Sequence, residues 1–193
     1  MTMRMIVAAM SAFLLASCSL SSLTGGGEVP EQLVTLSPTT PEPAANLTRS
    51  EAVSFAVPLV AEALATNRVA AIRGGTAVAY IQDLWLVDQS ANLFQQLVSE
   101  TTYRSTNLLV VDPRQAGAVP ALRVTGTLYR FGFDVDRQEV VVGYEALWER
   151  DGVVSTRRFE AREPAIGYAA DVTPALNTAA NRVAIEVANW IAG

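Results

Sequence analysis

Apolar residues recur along this chain with two periods, and the clearest run has period two. Residues 121–135 read as one long strand, in which Leu122, Val124 and Leu128 share a face. Tyr129, Phe131, Phe133 and Val135 share the opposite face, so the apolar parity changes midway, near Gly126. A bulge, or a sheet covered differently along its length, accounts for such a change. Asp136-Arg137-Gln138 turns the chain, and Val140, Val142, Tyr144, Ala146 and Trp148 then alternate with Val141, Gly143, Glu145, Leu147 and Glu149. Asp151-Gly152 predicts a tight hairpin into a third strand over 153–161, with Val153 and Phe159 on one face and Arg158, Glu160 and Arg162 on the other. These three segments form an antiparallel meander.

Two segments carry the helical period. Over 89–104, Ala91, Phe94, Leu97, Val98 and Thr101 fall on one face, Gln95, Gln96 and Glu100 lie on the other, and Asp88 is placed to cap the start. After a loop over 165–170, Thr173 is the expected cap of a final helix with Pro174 at its first position, where a missing N–H costs nothing. Leu176, Ala180, Val183, Val187 and Ile191 make its apolar stripe; Asn177, Asn181, Arg182, Glu186 and Asn189 make its wet side. Shorter β-type runs lie at 52–57, ending at Pro58, at 68–72 and 76–81 around Arg73-Gly74-Gly75, and at 108–111. Residues 59–66 suit a short helical turn. The elements predict an α+β fold: a mixed, mostly antiparallel β-sheet with two main amphipathic helices packed on one face.

A third apolar run stands apart. Residues 6–16 are apolar except for Ser11 and follow Arg4. That length suits the core of a signal peptide, which takes about 7–15 residues, and not a membrane span of about 20. The run closes on Leu15-Ala16-Ser17-Cys18, which holds the one cysteine of the chain. Residues 19–46 are then rich in Ser, Thr, Gly and Pro, with 33–38 as an extended run fit for an edge strand. Gly25-Gly26-Gly27 has no following Lys-Ser or Lys-Thr and reads as spacer rather than phosphate loop. The chain thus divides into a leader over 1–17, a flexible tether over 18–46 and a single domain over 47–193.

Composition narrows the chemistry. The 193 residues include no histidine, and all 14 basic residues are scattered arginines against 19 acids, for a net charge of −5. An acidic, lysine-free chain lacks the basic footprint of nucleic-acid binding. Without histidine the usual general base and the commonest zinc ligand are missing, and one cysteine allows no disulfide or Cys-pair metal site. Asp134, Asp136 and Glu139 cluster at a turn, where acids hydrogen-bond their own backbone. No catalytic set, cofactor or metal site is expected, and the chain is not read as an enzyme.

The positive start, apolar core, small residues and cysteine resemble the lipobox of bacterial lipoproteins, matched by Leu15, Ala16, Ser17 and Cys18. The resemblance implies cleavage before Cys18 and acylation of that residue, and Ser19 implies an outer-membrane address facing the periplasm. Further residues resemble the ABC-type transport auxiliary lipoprotein family, of the paraquat-inducible-protein-C kind. They are Thr35-Leu36-Ser37-Pro38, the 53–58 strand, Arg68-Val69, Tyr80 with Trp85, the 93–98 helix, Gly126-Thr127-Leu128 with Phe131, and Arg158-Phe159. Ile81 and Leu84 stand where that family commonly has a second tyrosine and a basic residue. The resemblance implies a non-enzymatic subunit that docks to an MCE-domain (mammalian cell entry) substrate-binding protein and to an ABC permease and its ATPase. Such systems move lipids or other apolar molecules across the periplasm. It leaves a homo-oligomer open. An alternative is another envelope-assembly lipoprotein, serving a lipopolysaccharide pore or a peptidoglycan synthase.

Besides Cys18, the candidate partner or ligand surface comprises Tyr80, Trp85, Tyr129, Phe131 and Phe133. Tyr80 and Trp85 either anchor a contact or cap the core. Tyr129, Phe131 and Phe133 mark a binding surface if the helices cover the other face of their strand, and are core if the helices cover them.

Overall fold

The computed structural model describes residues 32–43, 48–49, 51–112 and 120–193. Cys18, the leader and most of the tether lie outside them. The described residues form strands β1 (Ala52–Phe55), β2 (Arg68–Arg73), β3 (Ala77–Trp85), β4 (Leu109–Val110), β5 (Leu122–Asp134), β6 (Glu139–Arg150) and β7 (Val153–Pro164). Helices α1 (Ser90–Ser105) and α2 (Ala169–Ala192) complete the fold. The seven strands make one mixed sheet beneath two helices, an α+β fold.

β5 is the spine. One of its edges pairs antiparallel with β6 along its whole length, and β7 continues that meander. Its other edge is shared by two parallel neighbours, β1 against 122–124 and β2 against 132–134. β4 and β3 lie outside these. Asp151 and Gly152 both take positive φ, 50° and 79°, as the tight turn between β6 and β7 requires.

Both helices cover one face. Phe94 of α1 meets Tyr144 of β6 at 5.1 Å between ring centroids, and Trp190 of α2 packs on Trp148 and Phe159 at 6.1 and 5.5 Å. The predicted helix stripes are the buried ones, from Ala91 to Thr101 and from Leu176 to Ile191. Each large apolar side chain so buried contributes about 1.5–3 kcal/mol.

The helix starts differ from expectation. Gln89, not Asp88, precedes α1. Asp88 instead accepts from the Gln89 N–H at 2.7 Å and the Asn92 amide at 3.0 Å, while Ser90 Oγ is drawn inward to donate to the Leu64 carbonyl at 2.9 Å. α2 begins at Ala169, so Thr173 lies inside it and caps nothing. Pro174 is tolerated there because Ala170, whose carbonyl it cannot serve, is exposed to water. Gly167 turns the chain into α2 at φ 87°, with the Phe133 ring where a Cβ would sit.

Candidate functional site

Two bulges decide which aromatics meet solvent. Within β5, the register against β6 shifts between Leu128 and Arg130, so one residue is skipped. Leu128 pairs with Tyr144, Phe131 with Val142 and Phe133 with Val140. Directly opposed residues share a face, and Tyr144 stacks on α1, so Phe131 and Phe133 lie under the helices. Both are buried in the same core cluster as Leu128. They are therefore core and not surface, and the parity change falls at Tyr129 rather than at Gly126. Tyr129 alone of the three turns to the uncovered side. Its ring lies over Gly143, and its hydroxyl reaches Glu160 at 3.4 Å. Burial first, and then the Glu160 carboxylate, push the Tyr129 phenol up.

Around Tyr129 the uncovered faces of β6 and β7 carry a ladder of charges. Arg158 pairs with Glu145 and stacks over Tyr129. Arg162 pairs with both Glu139 and Glu160. The Arg158 pair is exposed and of small individual worth, and the Arg162 pairs are half-buried; together they alternate in sign along this half of the face.

The second bulge lies in the β2–β3 hairpin. Arg68 pairs with Trp85 and Ala70 with Tyr80, so β3 inserts extra residues between them; Asp83 takes φ 57° there, a left-handed conformation that Asp tolerates. Five residues apart in a regular strand, Tyr80 and Trp85 would face opposite ways. The bulge sets both on the uncovered side, within reach of Arg68. The guanidinium carbon lies 5.2 Å from the Tyr80 ring and 4.7 Å from the Trp85 ring. Tyr80 also donates to the Ala63 carbonyl at 3.4 Å. Arg68 was missed by sequence reasoning as a site residue; a lone arginine opening a strand carries no signal of what stacks on it.

A third feature was missed as well. Residues 32–43, assigned by sequence to the tether, lie along the domain as a strap. Val34 makes a parallel bridge to Leu86, donating to the Trp85 carbonyl at 2.8 Å and accepting from Val87 N–H at 2.9 Å. The strap then meets α2. Asn177 Oδ1 accepts from Ser37 N–H at 2.8 Å, and Asn181 Oδ1 accepts from Thr39 N–H at 2.8 Å and its hydroxyl at 3.1 Å. Asn181 Nδ2 donates to the carbonyls of Ser37 and Asn177, at 2.9 and 2.8 Å. Asn181 is 2% exposed and so is not on a wet side. Arg104 of α1 finishes the seat, donating to the Thr40 carbonyl at 3.2 Å and pairing with Glu42 at 2.6 Å. Because the contacts from α2 are mostly to strap backbone, residues 33–38 give little sequence sign of them.

At the meander's far turn, Asp134 accepts from the N–H groups of Asp136 and Arg137, at 3.1 and 3.2 Å, and from the Arg137 guanidinium at 3.1 Å. Burial alone would raise its pKa, but the Arg137 bonds, with help from Asp136, hold the carboxyl below the usual range. This is a self-capped turn, as expected of that acidic cluster. Among the described residues there is no group of three or more Cys, Asp or Glu placed to hold a metal, and no helix long and apolar enough to cross a membrane.

No family model matches the chain, and no curated protein matches it. Solved structures do. The crystal structure of protein XCC0632 from Xanthomonas campestris, of the family model DUF330, is 16% identical; the match covers 82% of this chain and 92% of that one at a TM-score of 0.67. A crystal structure of an uncharacterized protein is 14% identical, covering 83% of this chain and 99% of that one at a TM-score of 0.62. At these identities the likeness is one of fold.

Proposed function

We propose that this chain is an outer-membrane-anchored auxiliary lipoprotein of an ABC/MCE-type transport system that moves lipids or other apolar molecules across the periplasm. It acts by docking to partner subunits and not by catalysing a reaction. Acylated Cys18 fixes it to the leaflet, and the 47–193 domain meets the MCE protein, the permease and the ATPase complex.

The observation that carries this reading is the strap. The first described segment, residues 32–43, is bound into the helix layer through Asn177, Asn181 and Arg104. A pull on the anchor that reaches residue 32 is therefore delivered to the helix layer and not only to the edge of the sheet. The lipobox residues support the anchor itself, since a multiply acylated cysteine is what stable attachment requires.

The test is palmitate labelling and membrane fractionation of the full chain, followed by co-purification. The wild type takes up label and stays with the outer membrane, and Cys18→Ser loses both. Permease, ATPase and MCE protein are recovered together with the wild type. Recovery of a β-barrel or a peptidoglycan synthase without them overturns the assignment.

A further inference from the structure

We infer that the uncovered side of β3, together with the start of the strap, rests on the phospholipid surface. This inference builds on the proposed anchoring and adds the orientation of the domain. The Val34–Leu86 bridge turns both of these residues inward, and Leu86 is 1% exposed. By alternation, Leu33, Trp85 and Val87 face the uncovered side. The register of β2 and β3 puts Arg68 and Tyr80 there too. Leu33 is 52% exposed, Val87 50% and Val78, which shares the Tyr80 parity, 49%. One side of one sheet end thus gathers exposed aliphatics, a Tyr, a Trp and an Arg whose guanidinium lies over both rings.

That set has the chemistry of a membrane interface, where amphipathic rings sit at headgroup level and arginine keeps its head in the polar layer. Chain connectivity puts it in the right place. Thirteen residues separate Cys18 from Gln32; a fully extended chain of that length spans about 50 Å, and a coil about 20 Å. The strap begins at this patch, so the patch is the part of the domain nearest in chain to the lipid. The charge ladder of β6 and β7 occupies the other part of the same side.

The test uses the full acylated chain in vesicles of phosphatidylcholine and phosphatidylethanolamine whose acyl chains are brominated. Bromine quenches tryptophan emission only at short range. Trp148 and Trp190 pack on each other under α2, away from the patch. The expected result is quenching of the wild type, lost by half or more in Trp85→Phe and reduced in Leu33→Ser/Val87→Ser, with all three proteins floating with the vesicles. Flotation without quenching, or equal quenching in Trp85→Phe, overturns the patch and leaves the anchor standing. Failure of the wild type to float overturns the anchoring and the patch with it.

Discussion

Asn181→Ala is the sharpest probe of the strap. The side chain makes two bonds to strap backbone and one to the Thr39 hydroxyl, besides one to Asn177 on its own helix. A net hydrogen bond is worth about 0.5–1.5 kcal/mol. Losing the three strap bonds, the hydroxyl counted as the weakest, costs about 2–3 kcal/mol of strap docking. That is roughly a 30- to 150-fold rise in the population with the strap lifted. The rest of the fold keeps its core, because the freed Ser37 and Thr39 groups regain water when the strap lifts. Amide hydrogen exchange reads this directly. Exchange at Ser37, Thr39 and Val34 should speed up by that factor, while amides in β5 and β6 change far less. Asn177→Ala, which gives up the single bond to Ser37 N–H, should speed the same amides only about 5-fold. The reasoning is refuted if strap and β5 amides accelerate equally in Asn181→Ala, since Asn181 would then be an ordinary core residue, or if none accelerates.

Two further outcomes follow from the same geometry. Phe131→Ala should cost about 3–5 kcal/mol in urea unfolding, as for a fully enclosed phenylalanine, whereas Tyr129→Ala, on the uncovered side, should cost about 1 kcal/mol; equal costs would refute the bulge assignment. Asp134 has its folded pKa below the unfolded value of about 3.9, so its contribution is full above about pH 5 and lost as pH falls through the folded value. Asp134→Asn should therefore be the less stable protein at pH 7 yet lose less stability between about pH 5 and pH 2, as followed by thermal unfolding; an acid slope equal to the wild type's would count against it.

Much of the fold was legible in residue order. The Asp151-Gly152 turn, the alternation in β6 and the stripes of both helices each reflect one local period, and local periods survive into the structure because each apolar face has to be covered. Helix starts were less legible. Asp88 and Thr173 are good cap residues by type, but the Ser90 bond to Leu64 and the Gly167 turn, both made with distant parts of the chain, set where α1 and α2 begin.

The candidate site was legible in its residue types and not in its directions. Sequence alone picked out Tyr80, Trp85, Tyr129, Phe131 and Phe133 as aromatics needing an explanation, and Cys18 as the residue with nameable chemistry. It could not say which way the rings point, because an odd number of inserted residues, one in β5 and three in β3, reverses every side chain beyond it and is set by the partner strand. The shift opposite Tyr144 sent Phe131 and Phe133 into the core and left Tyr129 outside. The shift opposite Val69 brought Tyr80 and Trp85 onto one side around Arg68. The strap was hidden for a related reason. Asn181 looks like a solvent-facing helical polar residue until the backbone of Ser37 and Thr39, more than 140 positions away, arrives to satisfy it.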